Sequence, residues 1–304
     1  MKDIINCSIG IISNDNGYLF LKRKKEPYKN FFEFPGGKIE KNEKPAEALQ
    51  REFMEELSIF PRKINFINKI IHEYKEFKVC LHIFKIITYE GTISSNKQEI
   101  SYCEKDNFKN IECLASTYRI IKLLNLPRFL SISRPNDETL NESIELINKE
   151  KDLLVRFRDK DTYYNNNSET IIKVFKSCKE NNVKFIIDHP HEKIFFPHYD
   201  GVHYKSKFLS SAKRLPIDFK YYSCSCHNAD EIKKANLLNF DYILISPIKG
   251  SKNLNQKCLG WEKFRVLSSY ANMPTFALGG VSKEDIELSK KNEGYGVSGI
   301  RNFW

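Results

Sequence analysis

The chain has 304 residues, long enough for two domains that each bury a core. Its 41% hydrophobic content excludes an intrinsically disordered chain, and its net charge of +10 favours small anions such as nucleotides. The lysines are spread along the chain without an aromatic-interleaved basic patch, so stable nucleic-acid binding is not expected. Eight cysteines without a CxxC pair predict reduced thiols in a cytoplasm, and no apolar run reaches membrane length, so no membrane partner is expected.

In chain order, residues 6–12 form an apolar strand, Asn14 to Gly17 a turn, and residues 18–22 a returning strand, which together predict a hairpin. Arg23, Lys24 and Lys25 follow it as candidate contacts to anionic phosphates. A short strand over 31–34 delivers the glycine turn Gly36-Gly37, and Pro45 suits the first turn of a helix. Ala46, Leu49, Phe53 and Leu57 supply that helix with an apolar stripe. Its Glu52, Glu55 and Glu56 are three and four residues apart and share one face. Carboxylates held that close repel one another, and a hard divalent cation such as Mg²⁺ removes the repulsion. Ser58 occupies the position where glycine is preferred as a chain leaves a helix.

Strands are expected over 64–74 and 78–88, a loop over 91–101, and a closing helix over 113–124 with Ile120, Ile121 and Leu124 toward the core. The spacing of Gly37, Glu43, Arg51-Glu52 and Glu55-Glu56, with EFPGGKIE before it, resembles the Nudix box, and specifically the MutT-type branch. The resemblance implies an α/β/α sandwich and Mg²⁺-dependent cleavage, with Mn²⁺ as a substitute, of a nucleoside triphosphate such as 8-oxo-dGTP to monophosphate and pyrophosphate. It implies Glu52, Glu55 and Glu56 as metal ligands, with Arg51 and Glu43 supporting them. Arg23, Lys24, Phe34, Gly36 and Gly37 would bind the substrate. The branch's further metal-binding glutamate falls on Asn96, with Gln98 matching and Glu99 nearby, and its base-reading asparagine falls on Thr117.

Leu126-Pro127-Arg128 marks a boundary, giving domains of residues 1–127 and 128–304. Beyond it, apolar strands at 129–133, 153–157, 184–187, 201–203, 220–223, 242–246, 275–278 and 296–300 alternate with helical patterns. Eight strands in that order predict a parallel (β/α)8 barrel, shortened relative to the usual ~250 residues, with helices clipped between Asp188 and Lys220. LLVRFRDK, DGVHY, SCSCHNADEIKKA, FALGGVS and GVSGI resemble the thiamine-phosphate synthase and thiazole tautomerase family. That resemblance implies Arg158 and Lys160 at a pyrophosphate, Gly279-Gly280 with 296–299 as a phosphate cradle, and His227 in proton transfer. Asp188-His189 stands where the family has an Asn-Asp pair and Phe208 where its second metal-binding aspartate belongs, so metal-dependent synthesis is not implied. The barrel is then a binding module with a phosphorylated thiazole as the implied ligand, or a structural remnant. Two alternatives stand beside the hydrolase reading: a tautomerase in the barrel, and a sensing module that binds nucleotide or thiamine-related phosphates without turnover.

Overall fold

A computed structural model describes residues 3–104, 107–108, 111–133, 140–149, 152–158, 168–189, 199–213, 219–250, 258–300 and 303. The chain divides into two compact units, Met1–Leu124 and Asn125–Trp304, each taken here by itself.

The first unit contains β1 (Ile4–Ile11), β2 (Ser13–Asn14), β3 (Gly17–Lys22), β4 (Phe32–Glu33), β5 (Gly36–Lys38), α1 (Pro45–Leu57), β6 (Ile59–Glu73), β7 (Lys78–Gly91), β8 (Glu99–Cys103) and α2 (Ala115–Leu124). One sheet runs β5-β1-β7-β6, with β1 and β7 parallel; in the other, β3 pairs with β2, β4 and β8. The expected hairpin is therefore reduced to a stub, because only Ser13 and Asn14 pair with the start of β3. The reason is competition for partners. β1 gains an eight-residue parallel register with β7, far more ladder than a short hairpin offers. The Asn14 carboxamide accepts from the Asn16 N–H at 2.9 Å, which closes the turn.

Helix α1 begins at Pro45, after Lys44 in extended backbone whose N–H donates to Glu47 Oε2 at 2.9 Å. It buries Ala48, Leu49, Phe53 and Leu57. Ala48 thus replaces the expected Ala46, which is half-buried, because the turn of 100° per residue brings 48 beside 49 toward the sheet. Gly10 in β1 lets the helix approach: a Cβ there would lie 2.2 Å from the Phe53 ring. Ser58 ends the helix at φ 58°, ψ 29°, a left-handed conformation that its side chain makes costly. In α2 the buried positions are Ser116, Thr117, Ile120, Ile121 and Leu123; Leu124, expected in the core, is only half-buried at the helix's last residue.

The second unit contains β9 (Phe129–Ile132), α3 (Leu140–Lys149), β10 (Leu153–Phe157), α4 (Ser168–Glu180), β11 (Lys184–His189), β12 (Gly201–Tyr204), β13 (Tyr221–Cys226), α5 (Ala229–Leu237), β14 (Tyr242–Ile245), α6 (Gly260–Ser269), β15 (Thr275–Leu278), α7 (Ile286–Lys291) and β16 (Gly296–Gly299). The eight strands close in sequence order, every neighbour parallel, with β16 returning to β9. Of the predicted clipping, the described residues show one 3₁₀ turn, Ser206–Phe208, between β12 and β13. The stretch 190–198 lies outside the described residues. Among the described residues, no helix is long and apolar enough to cross a membrane. All eight cysteines are free thiols.

Side chains alternate along each strand. Val155, Phe185, Ile187, Val202, Tyr222, Cys224 and Ile243 join helix residues such as Val174, Ile232 and Phe264 in one apolar cluster. The alternate positions therefore fill the lumen, and several are polar. Arg156 Nε and Nη2 donate to Asp188 Oδ1 and Oδ2 at 2.6 and 3.1 Å, with both residues at most 5% exposed. The Lys205 ammonium lies 3.7 Å from Asp188 Oδ2. His203, fully buried, has Nδ1 2.9 Å from Ser223 Oγ and Nε2 2.9 Å from Ser225 Oγ. Burial, together with the cations of Arg156, Lys205 and Arg158, holds His203 well below its ordinary pKa.

Two stability measurements check this architecture. Replacing Ser58 by Gly removes the left-handed penalty and is expected to raise stability by about 0.5–1 kcal/mol in denaturant melts. Arg156→Met strands a buried carboxylate and should cost about 3–5 kcal/mol, whereas Arg156→Met with Asp188→Leu should cost much less.

Candidate active site

The first site is assembled by a glycine turn held against α1. Phe34 is 3% exposed, its ring 6.0 Å from Tyr18 and 4.5 Å from Phe20, and the Pro35 carbonyl accepts from the Gly10 N–H at 3.0 Å. Gly36 takes φ 137°, and a Cβ there would lie 2.1 Å from the Ser8 carbonyl oxygen. A Cβ at Gly37 would lie 2.3 Å from the Glu52 carboxylate. Gly36 is therefore needed for the turn to lie against β1, and Gly37 for it to touch the helix.

Arg51 carries the electrostatic frame. Its Nε and Nη2 donate to the two Glu43 oxygens at 2.9 and 3.0 Å, Nη1 donates to Glu52 Oε1 at 2.7 Å, and Nη2 also reaches the Lys38 carbonyl at 2.9 Å. Those bonds hold the Glu43 carboxyl below its usual range. The Gly36 N–H donates to Glu56 Oε2 at 3.0 Å. Burial pushes Glu56 up to about 7, and the neighbouring Glu52 charge adds to the rise against the Gly36 hydrogen bond. Glu55 is more open, with its side chain 49% exposed, 3.6 Å from Arg51 and 4.0 Å from Lys97.

Among the described residues, no three His, Cys, Asp or Glu side chains already stand together as a ligand cluster. The donor chemistry nonetheless fits a hard divalent cation: carboxylate oxygens on one helix face, one of them desolvated beside another negative charge. Asn96 is exposed, and Glu99 instead pairs with Lys22 at 3.3 Å, so neither adds a carboxylate to this face. Arg23 Nη1 donates to Glu33 Oε2 at 2.6 Å, while Lys24 is exposed. Burial raises the Glu33 pKa, with Arg23 opposing.

Thr117 is 2% exposed and packed inward. The adjacent Ser116 instead accepts from the Tyr74 hydroxyl at 2.8 Å. Around Tyr74 stand Tyr28, Phe77 and His72, at ring distances of 5.8, 5.0 and 4.5 Å. Sequence reasoning missed this aromatic group. Its signal was the run of Tyr74 and Phe77 at the β6–β7 turn, which gives no hint that Tyr28 joins it.

In the barrel, the candidate residues follow the C-terminal ends of strands, where barrel active sites are built. The Arg158 N–H donates to Ser133 Oγ at 3.0 Å, and burial with the nearby Arg156 charge lowers its guanidinium pKa. Lys160 lies outside the described residues. Gly279 and Gly280 take φ 94° and 71°, and the Gly279 carbonyl accepts from the Lys249 N–H at 2.8 Å. The exposed His227 has Nδ1 2.8 Å from the Ser246 carbonyl oxygen, which places its proton on Nδ1 and leaves Nε2 as an acceptor. Asp188 is committed to Arg156, and Phe208 offers no oxygen, so among the described residues these two positions supply no Mg²⁺ ligand.

A NUDIX-domain family model matches residues 7–117, and a thiamine monophosphate synthase model matches residues 129–303. The chain is 34% identical over 89 residues to the 8-oxo-dGTP diphosphatase of Escherichia coli, covering 29% of this chain and 69% of that one. It is 28% identical over 185 residues to a putative thiamine-phosphate synthase 2 of Aquifex aeolicus, covering 59% of this chain and 99% of that protein. A thiamine-phosphate synthase of Prochlorococcus marinus is 30% identical over 191 residues, covering 60% of this chain and 54% of its own length. Among solved structures, a MutT Nudix hydrolase from Burkholderia pseudomallei aligns with TM-score 0.38 at 19% identity, over 40% of this chain and 99% of that one. Thiamine phosphate pyrophosphorylase from Pyrococcus furiosus aligns with TM-score 0.44 at 18% identity, over 58% and 86%. The chain belongs to two families: the Nudix hydrolases through its first unit and the thiamine monophosphate synthases through its second.

Proposed function

We propose that residues 1–127 hydrolyse a nucleoside triphosphate of the 8-oxo-dGTP type to monophosphate and pyrophosphate, serving nucleotide-pool sanitation, and that residues 128–304 bind a phosphorylated small molecule. The observation that carries the hydrolase reading is the contact between the glycine turn and α1, where Gly36 holds Glu56 and Arg51 holds Glu52. Glu52, Glu55 and Glu56 would hold Mg²⁺ or Mn²⁺. When bound, the cation neutralises the diphosphate and makes water a better nucleophile. Arg51 and Glu43 keep the carboxylates oriented, a supporting task of the kind metal sites depend on. Arg23 and Lys24 take the phosphates. The base lies against Tyr28, Tyr74 and Phe77, whose ring faces suit stacking, in place of a reading role for the inward-packed Thr117.

The barrel reading rests on Arg158, on the backbone of Gly279 and Gly280, and on an acceptor nitrogen of His227 at the same end. With Asp188 held by Arg156, its ligand would be taken without a divalent cation. A thiazole-phosphate tautomerase is the second reading, favoured by the free Nε2 of His227, which can receive a proton.

Glu52→Gln and Glu56→Gln are each expected to lower Mg²⁺-dependent pyrophosphate release by about 100-fold or more, and EDTA to abolish it. Unchanged release from a panel of canonical, oxidised and sugar or coenzyme diphosphates would place the site elsewhere. His227→Asn should eliminate isomerisation of a thiazole phosphate by the full chain; persistence of that activity would remove the tautomerase reading.

A further inference from the structure

The Arg23–Glu33 pair has a feature that packing alone does not require. The guanidinium donates through Nη1 at 2.6 Å, yet its Nε is buried and has no hydrogen-bond partner. An unpaired buried donor is destabilising, as is a carboxylate placed where burial raises its pKa. An apolar pair of similar volume would avoid both costs, so the arrangement calls for something that arrives later and satisfies Nε.

The backbone leaves Arg23 little freedom. Its N–H donates to the Phe31 carbonyl at 3.0 Å, and its carbonyl accepts from the Asn30 N–H at 2.9 Å. Glu33 sits at the junction of three strands: β3 pairs it through Leu21, and β8 pairs with the same Leu21 through Ile100. Three residues after Glu33, the Gly36 N–H holds Glu56. The intervening Phe34 and Pro35 are fixed by the Phe20 ring and the Gly10 N–H. The short strap 33–36 thus connects the Arg23 guanidinium rigidly to the carboxylate face of α1.

We propose that Glu33 is a positioning residue: by gripping one nitrogen of Arg23, it keeps the unpartnered Nε for an incoming phosphate oxygen. A phosphate accepting from Nε and a second guanidinium N–H would satisfy the orphan donor in the bidentate geometry that arginine favours. Arg23 then enters the encounter already aimed, and binding spends less entropy in ordering it. The inference rests on the hydrolase reading for the identity of the ligand as a nucleoside triphosphate.

The test is calorimetric binding, in Mg²⁺ buffer, of deoxyguanosine triphosphate carrying a non-hydrolysable α,β-imido bridge to the full chain. Arg23→Gln and Glu33→Gln are each expected to weaken binding about 10-fold, and the double variant by no more than either alone. Glu33→Asp should recover part of the loss. In turnover of the natural triphosphate, Glu33→Gln should raise KM with kcat changed less than 3-fold, a split that a general loss of folding would not give. Wild-type affinity in Glu33→Gln, or losses that multiply in the double variant, would overturn the proposal. If Glu33→Gln also lowers the melting temperature, Arg23→Lys decides, because it keeps the charge but has no Nε–H: affinity weakened several-fold supports the role of Nε, and unchanged affinity refutes it. Absence of any product from the wild-type chain would remove the hydrolase reading, while the binding comparison still decides the role of Glu33.

Discussion

The first unit depends on the contact between a side-chain-free turn and an acidic helix. Gly36 and Gly37 let backbone reach Ser8 and Glu52 at distances no Cβ would permit, and Arg51 then ties Glu43, Glu52 and the Lys38 carbonyl into one frame. Neighbouring carboxylates would otherwise repel and turn outward. Here one guanidinium fixes two of them and a backbone N–H fixes Glu56. Burial, with the Glu52 charge adding to it, displaces the Glu56 pKa upward. The positive charge of Arg51 is committed to Glu43 and Glu52.

The second unit solves a different electrostatic problem. A barrel lumen usually fills with branched apolar side chains. This one places an arginine, an aspartate and a histidine there and neutralises them internally, the ion pair at bidentate distances and the histidine between two serine hydroxyls. The carboxylate of Asp188 is thereby taken up by Arg156. The positive groups that remain stand toward the strand ends, where Arg158 has burial but no carboxylate ion pair among the described residues. Membership in a synthase family therefore coexists with a site whose carboxylate chemistry has changed.

Much of this was legible in the sequence. The box from Gly36 to Glu56 was readable because its residues are local, and helical geometry converts spacing directly into a shared face. The eight barrel strands were readable because each is a short apolar run bounded by turns, and alternation with helices admits few topologies. Departures at Asn96, His189 and Phe208 were also visible, since a missing carboxylate is a property of one residue. The reading failed where a residue's partner lay far along the chain. The hairpin after β1 was lost to a strand about 70 residues away, and Ala46 gave way to Ala48 through the rotational setting of α1 on the sheet.

The sequence by itself determined the resemblance to two families, through its motifs, and also the face shared by Glu52, Glu55 and Glu56 and the count and order of barrel strands, because these last follow from local spacing and periodicity. Tertiary structure alone decided which groups meet. It paired Arg23 with Glu33, set Ser116 beside Tyr74, drew Tyr28 to the aromatic group and matched Asp188 with Arg156. Each of these is a side-chain contact across at least ten positions, fixed by strand register and chain closure, and no local pattern encodes such a meeting.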